Sequence, residues 1–209
     1  MSARRVLAST ALAVLGAAVL VPTPAGAERD TVVDMPGDAQ KLDWERSRKN
    51  DPVFLPAPDE TSVDVVRTVV AHGETRLGVT VRYRELVRAS DHETSIRVLT
   101  SHERRFDVRI TLTSRGRAET ALTRDDRFFS CPGLRPVVDV ARHRVKVSLP
   151  TSCLGEPRWV RVGVVAEGLE DVATEEHPYD FEMYLDDGGS AGLGAARSWP
   201  SLGPRVRRG

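Results

Sequence analysis

The sequence predicts an all-β chain, folded as an antiparallel β-sandwich of about eight to ten strands with one disulfide inside a hairpin. Three observations lead there. Short runs that alternate apolar and polar residues recur along the chain, and this period of two puts one side of a strand in a core and the other in water. Outside the N-terminal segment no window of twelve residues carries helical spacing. The only two cysteines, Cys131 and Cys153, lie equally far from one turn.

In chain order, Arg4 and Arg5 precede a sixteen-residue run of mostly Ala, Leu and Val, Val6 to Val21, then Pro22, Pro24 and Ala25-Gly26-Ala27. A basic start, a short apolar stretch and a small-residue site predict a signal peptide over 1–27 rather than a membrane anchor. Residues 28–60 read as an N-terminal segment in which Thr31-Val32-Val33 adds an edge strand. Its second half, WERSRKNDPVFLPAPDE (44–60), reads as a Pro-rich connection laid over the surface.

The sandwich itself is predicted over 61–187. Its strands follow Val63, Val65 and Val69; Leu77, Val79, Val81 and Tyr83; Ile96 and Val98; Phe106, Val108, Ile110 and Leu112; Val145, Val147 and Leu149; and Val160, Val162 and Val164. Weaker strands are expected over 117–123, 127–130, 135–141 and 179–185. The two sheets suit an immunoglobulin-like or a jelly-roll-like arrangement. Residues 188–209 are Gly, Ala, Ser and Pro with four arginines, and read as a disordered tail.

The segment VVDVARHRVKVSL predicts a hairpin that reverses near Ala141 to His143, and residue 142 is eleven positions from each cysteine. Antiparallel pairing brings such residues opposite one another, and an oxidising exterior closes the bond. On the chain-entropy account this disulfide stabilises the fold by about 3 kcal/mol.

Asp34-Met-Pro-Gly-Asp38, the strand pair DVVRTVVAHGETRLGVTVRYREL, and C-P-G-L followed by V-K-V-S-L-P-T-S-C-L-G-E-P-R-W-V-R-V resemble a set of secreted, single-domain, functionally uncharacterised actinobacterial proteins. The resemblance covers about 34–187, and its most specific piece is Pro150 to Val162 with its partner Cys131. It implies a β-sandwich and a disulfide and brings no catalytic residues. Residues 39–60 depart from its pattern by separating the D-x-x-G-D piece from the first long strand.

With the signal removed, 28 basic side chains face 30 acidic ones, a net charge of −2, which excludes nucleic acid as an expected partner. No second stretch is apolar enough to span a bilayer, so the expected location is secreted or extracellular, including association with the cell wall. Gly188-Gly189-Ser190-Ala191-Gly192 matches G-x-S-x-G, yet neither Asp nor His follows Ser190 to complete a triad. The five histidines, His72, His92, His102, His143 and His177, have no metal-ligand spacing. No catalytic residues and no enzyme are therefore expected.

Asp34, Asp38, Asp43, Asp186 and Asp187 are candidate calcium ligands, with Asp180 beside the last pair, because hard cations want six to eight oxygens and loops at a sandwich end supply carboxylates. The same Asp and Gly residues also read as plain turn formers. Trp159 and Arg161 are candidates for binding glycan, since alternation sets Trp159 on the face opposite Val160 and Val162. Arg82, Arg84, Arg97, Arg109, Lys146 and Arg161 could form a cationic stripe or a solvated mixed face. The function expected is a secreted, non-catalytic binding or adhesion module taking glycan or cell-wall polymer. The alternative is a structural or accessory envelope protein, and a secreted hydrolase ranks last.

Overall fold

A computed structural model describes residues 27–48, 51–87, 91–113, 117–172, 181–189 and 200–209. The signal segment, His177, Asp180, Ser190 and Trp199 lie outside the described residues.

The chain is an antiparallel β-sandwich. Its strands are β1 Glu28–Val33, β2 Gln40–Arg48, β3 Asp51–Pro56, β4 Val65–His72, β5 Arg76–Tyr83, β6 Asp91–Thr100 and β7 Arg105–Leu112. They continue as β8 Ala118–Arg124, β9 Arg127–Phe128, β10 Arg135–Asp139, β11 Arg144–Pro150, β12 Trp159–Asp171, β13 Phe181–Asp187 and β14 Val206–Arg207. One sheet runs β1-β4-β5-β11-β10 and the other β3-β2-β13-β12-β6-β7-β8-β9, with β14 paired to β12.

The alternation seen in the sequence sets the core. In β5 the buried residues are Leu77, Val79, Val81 and Tyr83, and in β6 His92, Thr94, Ile96, Val98 and Thr100. Phe106, Val108 and Ile110 of β7, Val145 and Val147 of β11, and Val160 and Val164 of β12 close the space between the sheets. Each fully buried Val, Leu or Ile contributes about 1.5–3 kcal/mol, so the apolar side of the repeat decides which face turns inward.

The β10–β11 hairpin forms as expected, with Arg135 opposite Ser148 and Asp139 opposite Arg144. A 3-10 turn, Val140–Arg142, and a left-handed His143 (φ 47°) reverse the chain. Cys131 and Cys153 are bonded, with Cα atoms 5.7 Å apart. Both lie beyond the last paired residues, Cys153 within the 3-10 turn Thr151–Leu154.

Two readings need correction. The Pro-rich connection over 44–60 is largely strand, because β2 and β3 pair from Gln40↔Pro56 to Arg48↔Asp51 and extend the second sheet. Pro52 and Pro56 are tolerated there because β3 is an edge strand. The tail expected to be disordered returns at 200–209: Val206 is buried in the core, and Val160↔Val206 and Trp159↔Arg207 pair. β13 leaves β12 after Asp187, and the C-terminal segment takes the vacated edge, Gly203 N–H donating to the Val162 carbonyl. The two sheets therefore draw on more of the chain than 61–187. Among the described residues no helix is long and apolar enough to cross a membrane.

Candidate functional site

Where β1 leaves the first sheet, the chain crosses to the second through residues 34–39, turning at Gly37 (φ 83°). That crossover delivers Asp34 and Asp38 to the interior, 4% and 6% exposed. Asp64, fully buried, sits just before β4, while Asp186 and Asp187, each 3% exposed, end β13. Gly188 lets β13 end against β4, since a Cβ there would meet Val65 Cγ1 at 2.6 Å. Asp34, Asp38 and Asp186 each present a carboxylate oxygen, and these atoms lie within 4.8 Å of one another.

Backbone N–H groups hold the carboxylates in place. Met35 N–H donates to Asp34 Oδ1 at 3.0 Å, Val65 N–H to Asp186 Oδ2 at 2.7 Å and Gly37 N–H to Asp64 Oδ2 at 2.7 Å. Ser201 N–H donates to both oxygens of Asp187, at 3.2 and 3.0 Å. Arg84 reaches Asp64 Oδ2 at 3.3 Å. Asp34 Oδ2, Asp38 Oδ1 and Asp64 Oδ1 are buried with no hydrogen-bond partner.

Burial, reinforced by the negative charge of Asp186 and Asp38, pushes the Asp34 carboxyl up to about 8. Asp186 rises to about 7, first through burial and then through Asp38, Asp64 and Asp187, against the Val65 N–H. Burial raises Asp38 too, with Asp64 and Asp187 adding to it. Taking charged carboxylates from water this way costs several kcal/mol per group unless a proton or a cation compensates.

Four of the five expected calcium ligands thus fall together or side by side. The fifth does not. Asp43 on β2 accepts Arg46 N–H at 3.1 Å and pairs with the Arg46 guanidinium, supporting the irregularity between β2 and β3. Asp64 was missed because alternation with Val63 and Val65 assigns it to water. The strand starts only at Val65, so that rule does not govern it.

Trp159 and Arg161 are engaged by the chain's own C-terminus. The Arg161 guanidinium donates to the Gly203 and Leu202 carbonyls, both at 2.8 Å, and the Arg205 guanidinium lies 4.4 Å from the Trp159 ring centroid. The cationic stripe is also divided. Arg82 and Lys146 stand on the first sheet, while Arg97 pairs with Asp107 at 2.6 Å and Arg109 with Glu93 at 2.7 Å on the second.

An outward groove of about 440 Å³ crosses the second sheet, lined by Ser95, Arg97, Asp107, Arg109, Thr123 and Glu167. Phe128 and Pro200 wall it. Phe128, 89% exposed, is held by the tight β8–β9 turn in which Asp125 and Asp126 adopt φ 49° and 64°. Arg97↔Asp107↔Thr123↔Phe128 form one cross-strand row and Val165↔Ser95↔Arg109↔Ala121 the next.

The described histidines are occupied structurally. His72 bonds the Val206 carbonyl, His92 the Thr94 hydroxyl and His102 the Gly155 carbonyl, and His143 Nδ1 accepts Leu86 N–H. Burial lowers His92 to about 4, so it stays neutral. No family model matches the chain, and no curated protein and no solved structure matches it either.

Proposed function

We propose that the chain is a secreted, non-catalytic binding module of the bacterial envelope or exterior, and that it takes a neutral glycan or wall polysaccharide in the groove between Phe128 and Pro200. The exposed Phe128 carries this reading. An aromatic ring fixed on a short hairpin offers a flat apolar face of the kind that stacks on a pyranose. Beside it, the ion pairs Arg97–Asp107 and Arg109–Glu93, with the Ser95 and Thr123 hydroxyls, present donors and acceptors in alternation. The charges are mutually paired, which favours a polyhydroxylated ligand over an ionic polymer. From β9 to β12 the groove crosses four strand spacings, roughly 19 Å, room for several sugars in a row. The signal-like N-terminus and the disulfide favour a place outside the cell.

The test is retention of the full chain on peptidoglycan and common polysaccharides, beside the Phe128→Ser variant. Retention of the wild type and its loss in the variant supports the reading. Uniform absence of retention favours the accessory envelope role, and equal retention of both proteins moves the ligand away from the groove.

A further inference from the structure

We propose that the carboxylate centre of Asp34, Asp38 and Asp186 is a calcium site, and that the cation ties the β1–β2 crossover, the approach to β4 and the end of β13 into one junction. This does not rest on the glycan reading, which concerns a different surface.

Charge comes first. Asp34, Asp38, Asp64 and Asp186 are all nine-tenths or more buried, and among the described residues the ion pair that reaches them is Arg84 with Asp64. Like charges this close in a dry setting repel strongly, so the arrangement needs further positive charge to be favourable. Unpaired acceptors come second. Asp34 Oδ2, Asp38 Oδ1 and Asp64 Oδ1 are buried oxygens without a donor, while the opposite oxygens of Asp34 and Asp64 are held by backbone N–H groups. A buried acceptor left unpaired is costly, and three together mark a place for something that accepts lone pairs.

The donor set then selects the ion. Every ligand in the group is a carboxylate oxygen, which suits a hard cation and gives zinc neither the imidazole nor the thiolate it favours. A calcium shell with ligands at about 2.3–2.6 Å is roughly 4.6–5.2 Å across, so three oxygens within 4.8 Å of one another can share one ion. Two of them come from an irregular crossover rather than a rigid strand, which fits the flexible geometry of calcium better than the strict octahedron of magnesium. Asp64 and Asp187 act as positioning residues: Asp64 holds Gly37, and Asp187 holds Ser201 and with it the C-terminal segment.

The experiment is calorimetric titration of the chelator-stripped full chain with calcium chloride and, separately, magnesium chloride, with thermal melting of the same samples. Expected are one calcium per chain and a rise in Tm of about 5–10 °C at a hundredfold excess over Kd. Asp38→Asn should lose calcium uptake, and Asp43→Asn should keep it. No uptake and no Tm shift in the wild type at millimolar calcium would overturn the site, whether or not any variant folds. Magnesium binding as tightly as calcium would overturn the ion, and loss of uptake in Asp43→Asn would overturn the location. Failure of the polysaccharide retention assay leaves these outcomes untouched.

Discussion

The two ends of β5 are secured by opposite chemistry. At its start Arg76 pairs with Pro150, which leads into the Cys153 turn, and the Arg76 guanidinium donates to the Gly133 carbonyl near Cys131. At its end Tyr83 leads to Arg84, which reaches Asp64 in the carboxylate centre. Eight residues of strand separate the two ends by roughly 25 Å. One end is cross-linked covalently and stays joined at any pH or ion concentration. The other is joined by acceptors that await a positive partner, so its cohesion depends on what the surroundings supply. A small sandwich thus divides its fastening between a permanent bond and a conditional one.

The sharpest way to break that contrast is to cut the covalent end. Replacing Cys131 and Cys153 by Ser opens a link between residues 22 apart, and stability should fall by about 3 kcal/mol with calcium present or absent, read as a loss of about 6–12 °C in Tm. Next is Val206→Ala, which strips a buried side chain from the C-terminal segment and should cost about 2 kcal/mol by denaturant titration. An unchanged midpoint would show that the segment contributes nothing to the junction.

At the conditional end the effect is set by pH. Asp34 and Asp186 titrate at about 8 and about 7 in the folded protein, so below neutrality protons occupy the oxygens a cation needs. Asp38, Asp64, Asp187 and Arg84 face the same space. Calcium affinity should therefore rise by roughly tenfold or more between pH 6 and pH 8, measured by titration calorimetry. The sign for the cation-free protein is opposite. Carboxyls with raised folded pKa values stabilise in acid, and that contribution is full below their ordinary value of 3.8 and fades as pH climbs from there through about 7 and about 8. The smallest effect belongs to Phe128→Ser, which should change stability by less than about 0.5 kcal/mol because the ring is exposed, while removing polysaccharide retention.

Much of this fold was legible because a period of two is hard to mistake: every alternating run from Leu77 to Val164 became a strand with the expected face inward. The disulfide was legible because symmetry about a turn survives small errors of register. Cys153 lies one residue past the strict counterpart of Cys131, and the 3-10 turn absorbs the difference. Composition misled at both ends of the chain. Prolines at 52 and 56 suggested a connection, although an edge strand has N–H groups to spare, and a Gly-rich tail hid a single buried Val206. One clue to that tail was present in Gly163, placed amid valines because a Cβ there would meet the Ser201 carbonyl oxygen at 2.5 Å. The centre was legible as a gathering of Asp around turns, which brought in Asp43 by proximity in sequence and left out Asp64, whose neighbours are both core valines.

The strand order carries one more consequence. Two open sheets have four outermost strands, and each of the four is unsuited to accepting a neighbour from another molecule. β1 begins with Glu28, Arg29 and Asp30, β3 contains Pro52 and Pro56, β10 contains Pro136, and β9 is two residues long. Charge, imino acids and brevity each deny an incoming ladder its footing, so the described residues, more than half of them strand, offer no ready template for lateral growth into fibrils.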